Sequence, residues 1–103
     1  MAQLDVYENS NPRTRKTIPY LLDVQADLLD ELQTRVIIPL SQLDNQKPLS
    51  GLTPLLNING QNYLALTPQL AGIHKKDLGD LIVNLANERQ IIINALDFLI
   101  TGI

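Results

Sequence analysis

Pro54-Leu-Leu-Asn-Ile-Asn-Gly-Gln-Asn-Tyr-Leu-Ala-Leu-Thr67 sets the reading of the whole chain. Asn59-Gly60 lies between two short apolar runs, and a tight type I′ turn needs positive φ at both of its central residues. Asn and Gly are the pair that adopts such a turn at least cost, so Pro54 to Ile58 and Tyr63 to Thr67 are expected to be the arms of a β-hairpin. The same signature, a few apolar residues bounded by Asn, Asp, Gly or Pro, recurs at Leu4 to Glu8, Pro19 to Gln25 and Arg35 to Leu40. Prolines and glycines are scattered singly between these runs, without a repeat, linker or low-complexity tract. The pattern is that of a mainly β protein.

Two segments read differently. Leu22, Ala26, Leu29 and Leu32 fall at helical spacing, so local propensity predicts a helix over Asp23 to Arg35. Near the end, Asn87 is a candidate helix cap with Gln90 three residues on, and Ile91 to Ile100 is almost wholly apolar. This terminal helix would place Ile92, Leu96, Leu99 and Ile103 on one stripe and Ile91, Ala95 and Phe98 on the next. Gly102 suits the left-handed residue that closes it. A helix apolar on more than one side needs cover beyond its own sheet, and a second copy of the chain or a partner protein is the expected cover.

The chain has 103 residues, 45% of them hydrophobic and 18% charged, which suits a single folded domain over 1–103. Its start, MAQLDVYENS, lacks the basic and apolar blocks of a signal peptide, and no apolar run is long enough to span a bilayer, so a cytoplasmic, non-membrane protein is expected. There is no cysteine, which excludes thiolate chemistry and thiolate metal sites. A net charge of −3 argues against direct nucleic-acid binding, which depends on Lys and Arg displacing counterions. The basic cluster Arg13, Arg15, Lys16 and the acidic run Asp23, Asp27, Asp30, Glu31 read as solvated faces.

A catalytic centre is hard to assemble from what remains. His74 is the only histidine and sits in a polar context, Ile73-His74-Lys75-Lys76, without a companion ligand. Ser10, Ser41 and Ser50 lack a nucleophile motif. The carboxylate pairs Asp27/Asp30 and Asp77/Asp80 carry no sign of burial, and the glycines form no phosphate-binding loop. The residues by themselves describe a binding protein with no cofactor and no metal.

Four stretches taken together resemble the CcdB family of toxins: Val6-Tyr7, Tyr20-Leu-Leu-Asp-Val-Gln-Ala-Asp-Leu-Leu-Asp30, Val36-Ile-Ile-Pro-Leu40, and Ala95-Leu-Asp-Phe-Leu-Ile-Thr-Gly-Ile103. The resemblance implies an SH3-like β-barrel of the CcdB/MazF kind, with an added hairpin and a C-terminal helix, assembled as a homodimer. It places Asp23 to Asp30 at a strand end and in the following loop, against the local helix propensity.

The resemblance also implies a function. Toxins of this family bind the A subunit of DNA gyrase as dimers and trap the enzyme with its DNA cleaved, catalysing no reaction themselves. They are neutralised by a CcdA-type antitoxin whose disordered segment wraps them, and Glu8 to Lys16 is a plausible contact for it. The family's binding determinants are a closing Trp-Gly-Ile. Gly102 and Ile103 match that ending, while Thr101 stands in place of the tryptophan, an anchor type whose truncation often costs about 2 kcal/mol or more. Leu28 and Leu29 replace a pair of isoleucines on the same surface, Asp97 replaces an asparagine, and Leu4 replaces an aromatic residue. Ile100 is a candidate to compensate for the lost tryptophan. Two alternatives are a relative that binds antitoxin without harming gyrase, and a MazF-like endoribonuclease, which the acidic charge and the lack of the Arg-Gly-Asp-like opening of those nucleases disfavour.

Overall fold

The structure, a computed structural model, describes residues 1–42 and 47–102. Asn59 and Gly60 take φ values of 52° and 90°. They close a hairpin in which Ile58 faces Gln61, and Asn57 Oδ1 accepts the Gly60 N–H at 3.2 Å. The arms are β4 (Leu55–Ile58) and β5 (Gln61–Ala65). The other strands are β1 (Asp5–Asn9), β2 (Tyr20–Asp23), β3 (Thr34–Gln42), β6 (Ala71–His74) and β7 (Leu78–Asn84), and one helix follows, α1 (Arg89–Thr101). The strands form one antiparallel sheet in the order β4-β5-β3-β2-β1-β7, with β6 also on β3, curled into a half-barrel. The mainly β expectation with a terminal helix therefore holds.

Strand β3 organises the sheet because it is long enough to hold two neighbours on one edge. Its first half pairs with β6 (Thr34↔His74 to Ile37↔Ala71) and its second half with β5 (Leu40↔Ala65 to Gln42↔Tyr63). Pro39 falls at the break between them. Its carbonyl accepts the Leu66 N–H at 2.9 Å, so its ring nitrogen points to the same edge, where neither strand asks it for a donor.

Strands β6 and β7 were not legible as strands. Ala71-Gly-Ile-His74 shows no alternation, and β7 contains Gly79 and Asp80. The β1–β7 ladder also slips twice, between Val6 and Tyr7 and between Tyr7 and Asn9. Gly79 sits at that irregular crossing, where an added Cβ would lie 2.8 Å from the Glu8 carbonyl oxygen, so the two strands approach at a distance only glycine permits.

The predicted helix over Asp23 to Arg35 does not form. Leu22 is locked in β2 opposite Ile38, and only a single 3-10 turn, Asp27–Leu29, survives from the helical spacing. Cross-strand pairing outweighs a propensity of a few tenths of a kcal/mol per residue. The predicted Asn87 cap is also not realised. A 3-10 turn at Ala86–Glu88 precedes α1, Glu88 is its N-cap without a side-chain bond, and Asn84 Oδ1 takes the Ala86 N–H at 2.8 Å. The far end matches expectation: Gly102 is left-handed (φ 75°) and its N–H reaches the Phe98 carbonyl at 2.9 Å.

The core lies between the sheet and α1. It joins Leu4, Val6, Leu22, Val24, Ile38, Leu40, Leu56, Ile58, Tyr63, Ala65 and Leu85 with Ile92, and Leu96 packs against its edge. Of the two predicted stripes on α1, the core takes Ile92 and Ala95 fully and leaves Ile91 and Phe98 exposed; Ile100, outside both stripes, is exposed as well. Ile103 lies outside the described residues.

Candidate partner-binding surface

The end of β2 carries an acid into the interior. Asp23 and Arg35 both have side chains with no exposure, and the guanidinium grips the carboxylate through Nη2 at 2.7 Å and Nε at 2.8 Å. Burial pushes the Asp23 carboxyl above its ordinary value, against the pull of the Arg35 guanidinium and the Gln25 N–H. The acidic run read as a solvated face is thus corrected at its first member, Asp23, and Arg35 is a buried residue that sequence reasoning passed over. Its signal was an arginine opening an apolar strand.

Arg35 does more than neutralise Asp23. Its Nη1 reaches Asp30 Oδ1 at 3.1 Å and its Nη2 reaches the Gln25 carbonyl at 3.4 Å. Gln25 accepts the Val36 N–H at 3.1 Å and donates to the Leu29 carbonyl at 3.0 Å. Lys75 Nζ donates to the Asp30 carbonyl, and Asp27 Oδ1 accepts the Gln3 N–H at 2.7 Å. The turn between β2 and β3 is therefore held by Arg35 from β3, by Lys75 from the β6–β7 connection and by the Gln3 N–H ahead of β1.

That turn presents Leu28, 95% exposed, with Leu29 and Leu32 about half exposed beside it. A leucine so placed contributes no burial of its own to the fold. It is available to a partner, which would gain roughly 1.5–3 kcal/mol by covering it.

The second predicted group lies at the end of α1. Asp97, Thr101 and Gly102 are exposed, and Ile100 is 74% exposed. The Thr101 hydroxyl donates to the Asp97 carbonyl at 2.6 Å, so it turns back onto its own helix. The bonds from the Leu28 turn lead through Asp27 and Gln3 to Arg89, whose Nη1 meets Gln3 Oε1 at 2.7 Å. They reach the first turn of α1, and Thr101 lies about 18 Å further along the helix axis.

Leu4 is corrected. It is 1% exposed, with φ 73°, donates its N–H to the Asp23 carbonyl at 2.6 Å and packs in the core. Its side chain is not on a contact surface in this fold.

In Glu8 to Lys16 the end of β1 runs into a series of turns from Pro12 on, fastened by Asn9, whose amide donates to Thr14 Oγ1 at 2.9 Å and the Ile18 carbonyl at 2.8 Å. Arg13, Arg15 and Lys16 are exposed on it. Under its lip runs a groove of about 520 Å³ with Ile18, Leu21, Ile37, Pro39 and Ile73 in its walls. His74 is exposed and accepts the Lys76 N–H at 3.4 Å. Among the described residues no three His, Cys, Asp or Glu side chains converge to hold a metal ion, and no helix is long and apolar enough to cross a membrane.

A family model described as CcdB protein matches residues 3–102. The chain belongs to the CcdB family. CcdB proteins are toxins of toxin–antitoxin systems, and with nearly the whole chain matched this protein is such a toxin, with an antitoxin as its counterpart. The matched span takes in both exposed groups of this CcdB chain, the Leu28 turn and the end of α1 through Gly102.

Proposed function

We propose that this toxin poisons DNA gyrase: as a cytoplasmic homodimer it binds the gyrase A subunit through Leu28, Leu29, Asp97, Thr101, Gly102 and Ile103, holds the enzyme with its DNA cleaved, and is neutralised by a CcdA-type antitoxin. The observation that carries this reading is the exposure of Leu28 (95%) and Ile100 (74%) at the two places where the family resemblance puts gyrase contacts. Neither side chain serves the fold, and both sit on backbone fixed by hydrogen bonds. Binding alone suffices for such a poison, so no catalytic group is required.

The test is a cleavage assay with purified toxin, gyrase, ATP and plasmid DNA, repeated with Gly102 and Ile103 deleted and with Leu28→Ala. Trapped linear DNA that disappears on deletion and weakens about tenfold with Leu28→Ala supports the reading, since losing one central apolar anchor has that order of effect. Undiminished trapping by the deleted protein overturns it.

A second reading is favoured by one observation. Thr101 replaces the family's tryptophan and is bonded back to Asp97 rather than projecting outward. A chain without that anchor would bind its antitoxin yet spare gyrase. No trapping at micromolar toxin, together with nanomolar antitoxin binding, is the outcome that reading requires.

A further inference from the structure

Asp30 and Arg35 stand out once the Leu28 turn is the docking element. Arg35 has no exposure, yet it spans two tasks: Nε and Nη2 hold the buried Asp23, while Nη1 reaches out to Asp30 at 3.1 Å. Asp30 lies directly after the 3-10 turn and is fixed again through its carbonyl by Lys75 of the neighbouring β6–β7 connection. Its side chain is 48% exposed, so the fold does not depend on it for packing. Turn and sheet are joined at this point by a charged fork rather than by apolar contact. Leu28 itself touches too little to hold its own backbone in place.

We propose that Asp30, clamped by Arg35 and Lys75, is a positioning residue that sets the pose in which Leu28 and Leu29 meet the partner; this rests on the reading of the Leu28 turn as a gyrase contact. Ordering the turn in advance means that the partner does not supply that order on binding, and the gain appears in affinity without any contact from Asp30 itself.

Asp30→Ala removes the Arg35 arm of the clamp and leaves both the Lys75 bond to the backbone carbonyl and the buried Asp23–Arg35 pair intact. Asp30→Asn keeps the accepting Oδ1. Both are made alone and with Leu28→Ala in the full-length toxin, and two quantities are read. One is amide hydrogen exchange at Leu29 and Leu32, whose N–H groups close the turn onto Ala26 at 3.0 Å and Leu29 at 3.1 Å. The other is the toxin concentration giving half-maximal cleaved plasmid.

Asp30→Ala is expected to speed exchange at those two amides about tenfold with Leu22 and Ile38 unchanged, and to raise the half-maximal concentration about tenfold. Asp30→Asn should stay within about twofold of wild type in both. Added to Leu28→Ala, Asp30→Ala should change trapping by less than it does alone, because part of what it positions is already gone. Unchanged exchange, undiminished trapping, or full additivity of the two variants overturns the proposal. Trapping that Leu28→Ala leaves intact is a separate failure, read from that variant alone; it removes Leu28 as the contact and the positioning role with it.

Discussion

Tyr7 shows how single residues tune this fold. Its ring is buried and its hydroxyl donates to Asp5 Oδ2 at 3.1 Å. Burial first, then the bond to the Asp5 carboxylate, push the phenol from an ordinary 10.0 up to about 12. Below pH 10 neither folded nor unfolded chain ionises this group, and its stabilising effect is complete. Between pH 10 and 12 the unfolded chain ionises first, so stability falls with rising pH by about 2–3 kcal/mol in total. Urea midpoints from pH 8 to 11.5 are expected to show that loss in wild type and a smaller one in Tyr7→Phe, where Tyr63, also raised by burial, still contributes in the same sense. Asp5 works in the opposite sense: burial would raise it, but bonds from Asn84, Ala2 and Tyr7 outweigh burial and hold the carboxyl below its ordinary value. At this scale the sequence misled twice. Leu4, which the family resemblance put among the contacts, has a positive φ and lies in the core. Asp23 looked solvated because its partner Arg35 lies 12 positions away, and their meeting depends on the β2–β3 register.

Among the elements, α1 was the most legible, because an apolar run of that length in helical register has few other uses. What the run could not say is which of its apolar positions the sheet would cover, since that depends on the curl of the half-barrel. Substitution separates them. Ile92→Ala should lower stability by about 2–4 kcal/mol, as removal of a buried branched side chain does, whereas Ile100→Ala should change it by less than about 0.5 kcal/mol and act only on partner binding. Chemical denaturation of both variants beside the gyrase cleavage assay checks this division of labour. The β4–β5 hairpin was readable because its turn chemistry is local. Strands β6 and β7 were not, because their pairing comes from the long edge of β3 and from a slipped ladder on β1. The Leu28 turn was read correctly only through family resemblance, since its own spacing spells a helix that strand pairing overrules.

For the whole molecule, Ile91 and Phe98, the apolar residues left bare on α1 besides Ile100, are the ones the proposed homodimer would cover. Equilibrium sedimentation at micromolar concentration is expected to give twice the chain mass of 11.5 kDa, and a single-chain mass there would contradict the proposed dimer. The sheet–helix core and the proposed contact residues of the Leu28 turn and helix end form two separate groups. Gly79 belongs wholly to the first group. Its Cβ-sized gap against Glu8 leaves no room for alanine without moving the β1–β7 crossing, so Gly79→Ala should lower the melting temperature while leaving every proposed contact residue in place. In a living host such a change would behave as a thermostat: a toxin that folds and acts when cool, and that falls silent a few degrees warmer, giving geneticists a conditional allele outside the proposed contact residues.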